Sequence, residues 1–206
     1  MTIVVRQANH NDAAAVARLY AAAWLETYRG VVSEHVLHAQ AERVQAEGTP
    51  GLSDDAGPST AAYVAEFRGE VIGFGTCGPV RGEALGTSGE IYAVYVTRRY
   101  QFRGIGSRLM GVMARHLLRH GLGSVGLWVA RDNVAAVAFA RALGAVITGA
   151  RAELDPHFPV TELAITWSET RDLTLWDDES EAAVRDRAAR GAFLAGYGQQ
   201  LAHSCR

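Results

Sequence analysis

The run Gln101-Phe102-Arg103-Gly104-Ile105-Gly106 has the make-up of a phosphate-binding turn. It follows the apolar stretch Ile91-Tyr92-Ala93-Val94-Tyr95-Val96 and leads into residues with helical spacing. A strand, a glycine-bearing turn and a helix start aim consecutive backbone N–H groups at one point, where the helix macrodipole adds partial positive charge. Gly104 and Gly106 remove the side chains that would hold an anion away from those amides. A dinucleotide fingerprint would need a third glycine where Leu109 stands, and no Gly-Lys-Ser/Thr follows to make a P-loop. The plainer alternative is a pair of glycines that only ends a loop before an ordinary helix, so the surrounding elements have to decide.

Those elements read clearly. Thr2 to Gln7 is expected as a strand, and Asn11 and Asp12 cap a helix carried by Val16, Leu19, Tyr20 and Ala23 to about Tyr28. A second helix is expected over Ser33–Glu47, then a loop from Thr49 to Thr60 rich in glycine, proline and aspartate. Ala61–Phe67 and Val71–Cys77, joined by Arg68-Gly69-Glu70, read as a hairpin, and a strand follows from Glu90 to Val96. Ile105, Leu109, Val112, Met113 and Leu117 form the stripe of a helix that Gly121 and Gly123 stop. Val125–Val129 is a short strand, Asn133–Leu143 a helix ended by Gly144, and Ala145–Ala152 and Val160–Trp167 the last two strands.

The spacing Gln-x-x-Gly-x-Gly behind Ile-Tyr-x-x-Tyr-Val resembles the acyl-CoA pyrophosphate loop of the GNAT superfamily of N-acetyltransferases. The order β-α-α-β-β-β-α-β-α-β-β is also that of the GNAT fold. The resemblance implies an α/β (α+β) acyl-CoA N-acyltransferase domain over residues 1–168. Its central sheet is mixed, mostly antiparallel and flanked by helices. Residues 169–206 read as a C-terminal helical extension, expected to pack on its own domain, with a dimer contact or a cover over the acceptor cleft as the alternative.

The resemblance also implies roles. Acetyl-CoA is the co-substrate and no metal takes part. Backbone groups of Val94, Tyr95 and Val96 pair with the pantetheine arm, in a gap where this strand splays from Val125–Val129. Gln101, Phe102, Arg103, Gly104, Ile105, Gly106 and Ser107 make the pyrophosphate turn, with charge added by Arg103 and by Arg98 or Arg99. Asn133-x-x-Ala136-x-x-Phe139 resembles the second GNAT signature, which touches the cofactor, although Asn133 serves equally as an N-cap.

Acetyl transfer to an amine needs a base, because only the free amine has a lone pair for attack. Glu90, eleven positions before Gln101, occupies the position of the base in many GNAT members. A side-chain period of two would place Glu90, Tyr92, Val94 and Val96 on one face, with Glu90 and Tyr92 toward the acetyl group. Trp24, Tyr28 and His157 are the candidate acceptor contacts, the aromatic rings being suited to cation–π contact with an amine. Ala140 stands where family members usually carry the tyrosine that protonates the leaving thiolate, so the acid is unassigned. That departure keeps a non-catalytic acyl-CoA-binding module as the alternative to an N-acetyltransferase acting on a primary amine by direct attack.

Composition sets the bounds. The 206 residues carry a formal charge of −2, which argues against nucleic acid or an anionic membrane as the main partner. No apolar run approaches the length of a membrane span. Cys77 and Cys205 lack zinc or redox spacing, so a reducing cytoplasm is the natural compartment and a ping-pong route has no nominee. His35/His38 and His116/His120 lack acidic partners in any metal pattern and read as surface residues. Expected partners are a small-molecule or peptide amine, and a homodimer is common among similar proteins.

Overall fold

The computed structural model describes residues 2–29, 33–35, 37–39, 42, 51–52, 57–152 and 160–177. One seven-stranded sheet runs through them in the order β1-β2-β3-β4-β5-β7-β6. Its strands are β1 (Val4–Gln7), β2 (Ala61–Phe67), β3 (Glu70–Pro79), β4 (Gly89–Val96), β5 (Val125–Ala130), β6 (Val146–Ala152) and β7 (Thr161–Trp167). All neighbours are antiparallel except β4 and β5. Helices α1 (Ala13–Tyr28) and α2 (Ile105–Arg119) lie on opposite faces of the sheet, and α3 (Val134–Ala142) joins β5 to β6. This is the expected architecture. The second helix expected over 33–47 appears as helical residues at 34–35, 37–39 and 42, and the rest of that span lies outside the described residues.

On one face Leu109, Met110, Met113 and Leu117 of α2 are fully buried against Ile72, Cys77, Ile91 and Val96. On the other, Val16 of α1 meets Val64 and Phe74, with Leu19, Tyr20, Ala93 and Tyr95 around them. The 3-10 turn His10–Asp12 that leads into α1 is fixed by a capping box from Asn9 and Asp12, and the Asp12 carboxylate also takes two bonds from Arg6 at 2.7 and 2.9 Å. That arginine holds the Asp12 carboxyl below its usual range and ties the first helix to the first strand.

Residues 169–177 pack on the domain itself. The short helix α4 (Arg171–Thr174) buries Leu173, Trp176 follows it into the core beside α2, and Arg115 bonds Asp177 at 2.7 Å. Gly111 permits the approach: a Cβ there would come within 2.5 Å of the Asp177 backbone nitrogen. Residues 178–206, the rest of the expected helical extension, lie outside the described residues.

Candidate active site

β4 and β5 are paired at only two registers, Gly89↔Val125 and Glu90↔Gly126. The closed end is clasped by Ser88 and Ser124, each of which gives its backbone N–H to the other's hydroxyl, at 2.9 and 3.1 Å. Beyond Glu90 the strands part. The cause lies in β4: Thr76 faces Ala93 and Cys77 faces Ile91, so Tyr92 is an extra residue with no partner on β3. Such a bulge bends the strand and raises its twist, which carries β4 away from β5.

The bulge corrects the expected shared face. Ile91, Val94 and Val96 pack on the α2 side, whereas Ala93 and Tyr95 pack on the α1 side. Glu90 and Tyr92 lie with the α1 group: the space beside Gly78, the partner of Glu90, is filled by the Tyr92 hydroxyl. The extra residue therefore puts Glu90, Tyr92 and Tyr95 together and sends Val94 and Val96 to the opposite side.

The register also settles which backbone groups are open. Thr97 donates to the Ile72 carbonyl, and antiparallel bonding alternates by two, so Tyr95 and Ala93 are committed to β3. The N–H and C=O of Val94 and Val96 point into the gap. Tyr95 thus departs from the expectation that its backbone meets a ligand there. Of the four open groups, the Val96 carbonyl accepts the Gln101 side-chain amide at 2.9 Å, which anchors the following turn to the strand.

That turn has the character its glycines promised. Phe102 and Gly104 both adopt positive φ, 59° and 77°, and Gly104 is the N-cap of α2 with no capping side chain. The first intrahelical bond is Arg108 N–H to the Gly104 carbonyl, so the amides of Ile105, Gly106 and Ser107 are the orphan donors of the helix start. Ile105 is buried and fastens the turn to the core, while Phe102 is 97% exposed. Arg99 is paired with Glu70 at 2.9 Å, and Arg98 and Arg103 lie on the surface of the turn.

α3 closes on the same turn. A Cβ on Gly106 would stand 3.2 Å from the Phe139 ring, so the missing side chain lets helix and turn touch. Ala136 and Phe139 are half-buried against the core, and the Asn133 oxygen caps the helix by accepting from Ala136 N–H at 3.1 Å. Ala140 is buried and brings no proton donor.

On the α1 side, Glu90 is 2% exposed. Its two oxygens accept from the Arg81 backbone N–H at 2.8 Å and the Arg81 guanidinium at 2.7 Å. That guanidinium lies 4.1 Å from the centre of the Tyr92 ring, and the Tyr92 hydroxyl donates to the Pro79 carbonyl at 2.7 Å. Arg81 has no motif around it. Its signal was the hairpin register: β3 ends beside the start of β4, with Pro79 opposite Gly89, so Arg81 must lie near Glu90.

Further along, burial beside the Glu26 carboxylate pushes the Tyr95 hydroxyl up to about 12. Trp24 and Tyr28, their rings 4.3 Å apart, pack with Leu37, Ala130 and Val160, so the last turns of α1 reach the far end of β5. His157 lies outside the described residues.

The remaining titratable groups fall away from this site. Burial pushes the Cys77 thiol up to about 12, which leaves it inert as a nucleophile. Among the described residues no cluster of histidine, cysteine or acidic side chains could hold a metal. His116 is not a surface residue as expected: it is 6% exposed, packed against Tyr63 and His120. Among the described residues no helix is long and apolar enough to cross a membrane.

The comparisons with known proteins agree with this geometry. A curated relative, the uncharacterized N-acetyltransferase YuaI of Bacillus subtilis, is 30% identical over 132 residues, covering 64% of this chain and 73% of its own. The yncA acetyltransferase of Salmonella typhimurium, solved with acetyl-CoA, superposes with a TM-score of 0.57 at 20% identity, over 81% of this chain and 94% of that one. The paia N-acetyltransferase of Thermoplasma acidophilum, solved with coenzyme A, gives 0.54 at 18% identity over 79% and 98%. The sequence profile of the Acetyltransferase (GNAT) family matches residues 13–145, a span that begins with α1 and ends just past α3. The match spans both the strand that parts from its neighbour and the uncapped helix start beside it, and the chain belongs to the Acetyltransferase (GNAT) family.

Proposed function

We propose that the protein transfers an acetyl group from acetyl-CoA to a primary amine by direct attack. The observation that carries this reading is the gap itself: open Val94 and Val96 groups lead toward three uncapped amides at Ile105–Ser107. A pantetheine arm can pair with the former as an added strand, and the pyrophosphate can rest on the latter. Open space beside Gly104 and the close approach of Phe139 to Gly106 support this seat for the co-substrate. The Val94 N–H is a donor for the oxyanion.

In this reading the amine lone pair forms the C–N bond, the C–S bond breaks and coenzyme A leaves as thiolate. The proton lost by the acceptor goes to Glu90. Because that carboxylate is buried and each of its oxygens already accepts one bond from Arg81, the proton reaches it along bridging water rather than by contact. Tyr92 supplies the ring on which Arg81 rests, and its oxygen keeps a lone pair for the acceptor or a water. Trp24, Tyr28 and His157 remain the proposed acceptor contacts.

Thiol release from acetyl-CoA with a panel of amines tests the activity. Glu90→Gln is expected to lower kcat about 10- to 100-fold near neutral pH with coenzyme A affinity unchanged. An unchanged rate removes Glu90 as the proton acceptor. Buried Ala140 favours the second reading, a module that binds acyl-CoA without turnover. Tight coenzyme A binding with no thiol release on small amines, peptides or ribosomal proteins would select it.

A further inference from the structure

Arg81 stands where the α1-side face of β4 meets the closed end of the gap. One of the five N–H donors of its guanidinium is given to Glu90, its plane is held over Tyr92, and 58% of the side chain is exposed. Among the described residues its other side-chain donors have no partner. Glu90 lies beneath it, so an incoming acceptor meets a cation first. A guanidinium pinned at one nitrogen and stacked on a ring has lost most of its freedom before a ligand arrives. Its remaining donors form a preorganised receptor for a carboxylate.

We propose that Arg81 binds a carboxylate of the acceptor, and that the acceptor is an α-amino acid. This rests on the acetyl-transfer reading above. In that reading the reacting carbonyl lies by the Val94 N–H, two residues along the strand from Tyr92, an interval of roughly 6–7 Å. An amine on the carbon next to a guanidinium-bound carboxylate spans such an interval. A polyamine offers no anion and is repelled by the exposed cation. A lysine within a peptide has its own carboxyl consumed in the amide bond.

The test compares amino acids with their carboxamides, using the whole protein and acetyl-CoA. The free acids are expected to have the lower KM, by about 30-fold or more. Arg81→Lys keeps a cation for buried Glu90 but loses the planar fork. It should raise KM for the acids about 30-fold more than KM for the amides, whatever it does to kcat for both through Glu90, and leave the Kd of acetyl-CoA unchanged. Equal use of acid and amide, equal loss of both in Arg81→Lys, or no acetylated amino acid from a protein that binds acetyl-CoA would each overturn the assignment. Failure of the unaltered protein to bind acetyl-CoA at calorimetric concentrations is a different result: it removes the acetyl-transfer reading, and this inference with it.

Discussion

The two sides of β4 differ in a way that separates scaffold from site. Toward β3 the strand is paired at every residue but the extra Tyr92, and Ala93 and Tyr95 pack with fully buried Phe74 and Val64 under α1. Toward β5 it is paired only at Gly89 and Glu90, and past the bulge the Val94 groups and the Val96 N–H are left open. Buried backbone groups are almost always bonded, so a strand that stops pairing inside a sheet marks a place kept for something else. The paired side holds the fold together, and the unpaired side is where a ligand can complete the sheet.

That division can be broken by experiment. Phe74→Ala, deep in the paired side, should cost about 3–5 kcal/mol of stability, read as a shift in denaturant midpoint, and leave the coenzyme A affinity of the folded fraction intact. A comparable loss of affinity would mean that the two sides are not independent. Ser107→Asp should do the reverse. A carboxylate in the first turn of α2 suits the helix dipole and holds or raises Tm, but it repels a pyrophosphate at the same amides. Calorimetry should show coenzyme A affinity down about 100-fold, close to 2.7 kcal/mol. The smallest effect is expected at Phe102. Its positive φ is strained for a bulky side chain, and Phe102→Gly should raise stability by up to about 1 kcal/mol in urea titration. A loss of stability there would show that the exposed ring has a packing partner.

Most of the frame was legible because local chemistry and tertiary structure agree. The apolar stripe of α2, the glycines at 121 and 144 with φ of 76° and 91° past helix ends, and the Arg68-Gly69 hairpin turn each state their conformation in a few adjacent residues. The glycine turn before α2, with its positive φ at Gly104 and its uncapped helix start, was legible for the same reason. What escaped was set by pairing between strands. Strict alternation along β4 gives the wrong side for Val94 and Val96, because only the register with β3 shows that Tyr92 is supernumerary. Arg81 escaped because its partner is nine residues away across a hairpin, and a lone arginine in a loop carries no periodicity. His116 was misplaced because an imidazole can be buried where its neighbours are aromatic.

The extra residue at Tyr92 has an evolutionary corollary. It works as a half-turn in a ribbon, so the sequence before it and the sequence after it are read on opposite sides. In the proposed reading, substitutions upstream would retune the chemistry at the closed end, and substitutions at even steps downstream would retune the berth for the thioester. Losing one residue between Ile91 and Ala93 would exchange those duties for the whole downstream segment. Drift in this protein is therefore expected to tolerate changes of residue type there far better than changes of length.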